Sequence, residues 1–146
     1  MPDTLKLEIV TPEAKKFSGD VDMVVVPGVE GELGILPLHV PLMTRLLPGE
    51  VRITQDGKQT ELVIGTGFLE VSQTQVAILT DLAMADTEID EQAAEEAVRR
   101  AEARVKEKDL NSEEVAEIQG SIARSLAQLK FKRRRRAPSS PGSSIE

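Results

Sequence analysis

Polar and apolar positions alternate along the first part of this chain and then change period. Leu5, Leu7 and Ile9 are separated by Lys6 and Glu8, the period-two pattern of a strand with one buried face. Residues 21–26 form a β-branched run that meets Pro27-Gly28. Val51-Arg52-Ile53-Thr54 alternates again and runs into Asp56-Gly57, a dipeptide suited to a tight hairpin turn. Residues 61–64 resume the strand. Residues 68–71 and 76–79 follow on either side of a polar Ser-Gln-Thr-Gln turn. Short strands punctuated by Gly and Pro predict a sandwich or barrel and leave no room for a long helix.

Near residue 86 the period becomes helical, and Gly and Pro nearly vanish until Pro138. Thr87 or Asp90 is placed to cap a first helix, with Glu88, Asp90 and Glu91 at its positive end. Ala94, Val98, Ala101 and Val105 give that helix a small apolar face. The run breaks at residues 109–111, and Ser112-Glu113-Glu114 opens a second helix. There Val115, Ile118, Ile122, Leu126 and Leu129 step by three and four, a coiled-coil-like stripe. Two such helices joined by a few residues predict an antiparallel hairpin. A narrow stripe on a largely charged pair makes the hairpin marginal alone, so docking should stabilise it. The expected architecture is α+β. An N-terminal antiparallel β-sandwich of about eight to ten short strands covers residues 1–85. An antiparallel two-helix hairpin covers 87–132, and a basic, disordered tail covers 133–146.

Composition narrows the chemistry. Aromatic residues make up 2% of the chain, as Phe17, Phe68 and Phe131, so Val, Ile, Leu and Ala must build the core. There is no aromatic platform for stacking bases. With no Cys and one His, His39, neither a thiolate site nor a His cluster can form. No metal, cofactor or catalytic residue is expected, because no carboxylate pair sits with a nucleophile or a ligand set. The start, Met1-Pro2-Asp3-Thr4, lacks the basic and apolar regions of a signal peptide. No apolar run approaches the length of a membrane span. The chain is expected to be soluble and cytoplasmic, seated on a membrane complex if on any membrane.

The net charge of −7 is unevenly spread. Residues 132–146 hold Lys132, Arg133, Arg134, Arg135 and Arg136 against one acid, Glu146, so the body is more acidic than the total suggests. Such a run suits either the negative end of a helix dipole or docking on an acidic surface. Anionic lipid or nucleic acid could also attract it.

Residues 27–42, PGVEGELGILPLHVPL, contain the spacing Gly-x-x-Gly-x-x-Gly-Ile-x-Pro-x-His-x-Pro-Leu. Each Gly or Pro there could simply set a turn between strands. The run is not a phosphate loop, having no following Lys-Ser or Lys-Thr, and not a dinucleotide fingerprint, having no following helix. It resembles the signature of the epsilon subunits of bacterial F-type ATP synthases. Phe17-Ser18-Gly19, Leu47-Pro48-Gly49-x-x-x-Ile53 and Gly65-x-Gly67-Phe68-x-Glu70-Val71 resemble the same family, in the same order.

That resemblance implies a non-catalytic stalk protein that couples proton flow to ATP synthesis. Its implied partners are the gamma subunit, the membrane rotor ring and the alpha/beta catalytic head, at the cytoplasmic face of the inner membrane. It implies rotor-ring contact through Glu30, Gly31 and Glu32, with His39 near the same end. It implies a hairpin that inhibits ATP hydrolysis when extended into the head. The basic residues Lys130, Lys132 and Arg133–Arg136 would then face an acidic segment of the beta subunit. The family's nucleotide motif reads Ile/Leu-Asp-x-x-Arg-Ala, and this chain has Ile89-Asp90-Glu91-Gln92-Ala93-Ala94. Asp90, Arg100 and Arg124 match, but Ala93 replaces an arginine and Gln128 another, so weak or absent ATP binding is expected. Asp90 also serves simply as a helix-start acid. The alternative is a β-sandwich binding module with a basic tail contacting nucleic acid. The acidic body argues against it, and no nucleic-acid partner is expected.

Overall fold

A computed structural model of the chain describes residues 4–107 and 109–136. Ten strands come first: β1 (Leu5–Val10), β2 (Lys15–Val21), β3 (Met23–Gly28), β4 (Gly31–Ile35), β5 (Leu42–Leu46), β6 (Gly49–Gln55), β7 (Lys58–Ile64), β8 (Gly67–Val71), β9 (Gln75–Thr80) and β10 (Ala83–Met84). A one-turn 3-10 helix, Asp86–Glu88, leads to α1 (Glu91–Val105) and α2 (Ser112–Arg136).

The strands form one continuous sheet in the order β10-β7-β6-β3-β5-β8-β9-β1-β2, with β4 added on β3. The sheet folds over itself around a single core. Leu7, Ile9, Val24, Val26, Ile53, Ile64, Leu69 and Ile78 are fully buried there and come from six strands. Alternation explains the selection: Leu5, Leu7 and Ile9 point in while Lys6 and Glu8 point away. The Asp56-Gly57 turn adopts φ of 51° and 78°, the left-handed pair that a two-residue hairpin between right-twisted strands demands.

Several details depart from the sequence expectations. One ladder is parallel, β1 on β9, so the sandwich is not wholly antiparallel. The chain meets β9 only after a full circuit of the sheet, so no turn dictates the direction of that pair. The run over residues 21–26 divides at Asp22 into two strands. Asp22 accepts the Asp56 N–H there at 2.9 Å. Pro27-Gly28 does not stop the strand at Val26 but forms the last two residues of β3, paired with Glu32 and Gly31 in the β3–β4 ladder.

Of the two candidate caps for α1 it is Asp90 that acts, its carboxylate accepting the Ala93 N–H at 3.1 Å. Asn111 caps α2 reciprocally with Glu114, at 2.8 and 3.3 Å. The helix does not stop at residue 132. It continues through Arg133–Arg136, where a disordered tail was expected, because Arg133, Arg134 and Arg135 find acidic partners. Residues 137–146 of that expected tail lie outside the described residues.

The stripe on α2 also differs. Ile118 and Leu129 are buried, but Leu126 is 49% exposed, while Phe131, absent from the stripe, is fully buried. Helix α2 has two neighbours, α1 and the outer surface of β6 and β7. A heptad stripe describes only one of them.

Candidate functional site

The outer surface of β6–β7 shows how the hairpin is held. Strand alternation sends Val51, Ile53, Leu62 and Ile64 toward the core and Glu50, Arg52, Glu61 and Val63 to the other side. In the register, Arg52 opposes Glu61 and Glu50 opposes Val63, so the four make one patch. Helix α2 lies across it. Phe131 and Ala127 pack on Val63 together with Ile89 and Met84, a second apolar cluster separate from the sandwich core.

Beside this cluster the basic run meets acids on two sides. Lys132 Nζ donates to the Asp86 carbonyl at 2.9 Å. Arg133 reaches α1, donating to Glu91 at 3.0 Å and Glu95 at 3.1 Å. Arg134 turns to the sheet and bridges Glu50, at 3.1 Å through Nε, and Glu61. Arg135 donates to Glu61 at 2.6 Å. The two carboxylates hold the Arg134 guanidinium above its ordinary pKa, Glu50 first and then Glu61. Lys130 is exposed, and Arg136 is the last residue of the helix.

The sequence indicated the cations but not these acids, which lie 84 and 73 positions away. The available signal was that Glu50 and Glu61 share a strand face with an apolar residue, Val63. That combination needs a cover carrying both Phe and Arg.

The three residues expected at a nucleotide site are not brought together. Arg100 and Arg124 line one groove of about 400 Å³ between the helices, with Arg104 and Ser121. Asp90 sits at the start of α1, ten residues before Arg100, roughly 15 Å along the helix, and is occupied as its cap. The Arg124 guanidinium donates to Asp81 at 2.7 Å, which ties α2 to the β9–β10 turn. Thr66 donates to the same carboxylate at 3.3 Å.

The four residues expected at one end of the sandwich are also divided. Val29 and Glu30 form the β3–β4 turn, and Gly31, which opens β4, takes φ of 125°. This turn lies beside the end of β5, the Val29 N–H donating to Arg45 O at 3.2 Å. Glu32 is engaged across the sheet, receiving two bonds from Arg52 at 3.1 and 3.2 Å. His39 lies beyond the other end of β4, in a loop fixed to the β8–β9 turn by Leu38 N–H to Gln73 O at 3.0 Å. Its Nδ1 is 2.7 Å from Val40 O. Five residues of strand at about 3.3 Å each separate the two places, so His39 does not share the end with Glu30.

A further surface was not anticipated. Met43, Phe68 and Leu79 are exposed on the outer side of β5, β8 and β9, where Phe68 pairs with Arg45 on one side and Leu79 on the other. A shallow cavity of about 530 Å³ adjoins Phe68 and Leu79 and is bordered by Arg45 and Asp81. Leu36, Leu38 and Val40 are exposed in the loop that follows β4. Exposed apolar patches of this kind mark protein-interaction sites. The visible signal was Phe68-Leu69 and Ile78-Leu79: adjacent strand residues cannot both face one core. Among the described residues no helix is long and apolar enough to cross a membrane, and no group of His, Cys, Asp and Glu is arranged to hold a metal.

Comparison with known proteins agrees with both parts of this architecture. Residues 4–86 match the family described as ATP synthase, Delta/Epsilon chain, beta-sandwich domain. Residues 87–132 match ATP synthase, Delta/Epsilon chain, long alpha-helix domain. The chain is 45% identical over 132 residues to the ATP synthase epsilon chain of Dehalococcoides mccartyi, covering 90% of this chain and 94% of that one. It is 41% identical over 129 residues to the epsilon chain of Halorhodospira halophila, covering 87% and 91%. Among solved structures, a chain of the Euglena gracilis mitochondrial ATP synthase (OSCP/F1/c-ring) superposes with a TM-score of 0.71 at 27% identity, over 89% of this chain and 81% of that one. A chain of the Tetrahymena thermophila mitochondrial ATP synthase central stalk/c-ring gives 0.58 at 17% identity, over 88% and 96%, a likeness of fold.

Proposed function

The chain belongs to the ATP synthase delta/epsilon family as a non-catalytic central-stalk component, and from that premise we propose that its two parts divide the work between anchoring and braking. The sandwich seats the chain on the gamma subunit and the rotor ring, so that it turns with them while proton flow drives ATP synthesis. The hairpin restrains ATP hydrolysis by engaging the alpha/beta catalytic head. The complex is peripheral to the membrane, and the chain works at the cytoplasmic face of the inner membrane.

The observation that carries this reading is the separation of the two apolar clusters. The sandwich core closes on itself without either helix, whereas the hairpin meets the sheet through the small cluster around Phe131. A body with its own core can stay seated while a lightly attached appendage moves. Met43, Phe68 and Leu79 supply an uncovered apolar face suited to seating on a protein partner. Gly31 and Glu30, at a solvent-exposed turn, are the residues proposed to meet the ring, with Glu32 steadied by Arg52. His39 belongs to a second, separate contact loop.

The test is the ATPase rate of a cognate catalytic head that contains gamma but lacks this subunit, with either the full chain or a chain ending at Ala85 added back. Both should bind, and only the full chain should lower the rate. Binding of both without inhibition would refute the brake and leave the anchor. Failure of both to bind would refute the anchor.

A further inference from the structure

We propose that the arginine run closing α2 is an intramolecular electrostatic clasp that holds the end of the hairpin against the sandwich and loosens when its charges are screened. Three consecutive helical residues point about 100° apart, so they cannot all face one partner. Arg133, Arg134 and Arg135 nevertheless each meet carboxylates: Arg133 those of α1, Arg134 and Arg135 those of β6 and β7. The end of α2 lies between two acidic walls, and consecutive side chains fan out to both.

Dipole complementation at a helix C-terminus requires positive charge nearby but no matched partners. Here the carboxylates are matched and withdrawn from water, the Glu50 and Glu61 side chains being 17% and 10% exposed. A guanidinium forked between two such groups forms a stronger unit than an isolated surface pair. The apolar attachment beside it rests on Phe131, and the charges add to it.

The test is hydrogen exchange on the full chain, following the last two turns of α2 against the strands. Between about 0.02 and about 0.5 M salt, those turns should exchange roughly five- to thirtyfold faster, with β1, β8 and β9 unchanged. Glu50→Gln with Glu61→Gln should give the fast rate already at low salt and abolish the salt response. Adding Arg134→Gln and Arg135→Gln should change nothing more, because paired groups are not additive. Protection insensitive to salt in the unaltered chain, or losses that add, would overturn the clasp. If the glutamine substitutions also loosen β6 and β7, Arg134→Gln with Arg135→Gln decides alone. The same acceleration upholds the clasp, and no acceleration overturns it.

Discussion

Replacing Phe131 with alanine should free the hairpin while leaving the sandwich folded. Phe131 is fully buried and is the largest member of the cluster that joins α2 to Val63 and Ile89. Removing a buried phenylalanine costs about 3–5 kcal/mol. Burial of roughly 150–250 Å² at about 25 cal/mol per Å² gives a similar upper figure. None of that is subtracted from the core around Leu7, Leu69 and Ile78, which does not include Phe131. The docked-to-released equilibrium should therefore shift by about a hundredfold or more.

Native-state hydrogen exchange reads the two parts separately. Amides in the last turns of α2 should lose about two orders of magnitude of protection, and those of β1, β8 and β9 should keep theirs. Leu126→Ala is the matched control. That side chain is half exposed, so its loss should stay within about 0.5 kcal/mol, although a heptad stripe would have ranked it equal to Leu129. The reasoning fails if strands and helices lose protection together, since hairpin and sandwich would then be one cooperative unit. It fails equally if α2 is unchanged.

Other consequences are more local. A Cβ on Gly67 would lie 2.1 Å from the Leu79 carbonyl oxygen and 2.9 Å from Thr80 Cα. Gly67→Ala should therefore force the β8–β9 ladder apart, cost about 2–3 kcal/mol and lower the sandwich Tm by roughly ten degrees; an unchanged calorimetric Tm would refute this. Glu8 is held below its ordinary carboxylate pKa by its hydrogen bond from Lys15, at 3.1 Å, and then by that ammonium's charge. A depressed folded-state pKa contributes stability above the unfolded value that is lost as pH falls through the folded one. Lys15→Met should thus be less stable than the parent near neutral pH, with the gap closing in acid; denaturant titrations at several pH values showing a constant gap would contradict it. ATP binding should be weak or absent, because Ala93 stands where the motif has arginine and Arg124 is committed to Asp81. One lost charged contact weakens binding by about 1.5–3 kcal/mol, and micromolar affinity in equilibrium dialysis would be the contrary result.

The sequence alone determined whatever depends on local pattern. Period-two alternation placed Leu5, Leu7 and Ile9 in the core, Asp56-Gly57 set a left-handed turn, and the shift to helical spacing after residue 86 divided sandwich from hairpin. These follow from backbone geometry acting over a few residues. The tertiary structure alone decided which faces meet. Val63 points away from the sandwich core yet is buried, because α2 crosses β6 and β7. Leu126 sits on an apolar stripe yet is exposed, because α2 divides its surface between α1 and the sheet. Arg134 and Arg135 suited a solvated basic end or a docking surface equally, and they pair within the chain because Glu50 and Glu61, far away in sequence, arrive beside them through the β6–β7 register. Such pairings depend on how the sheet closes and where the hairpin lies, and no local period encodes that.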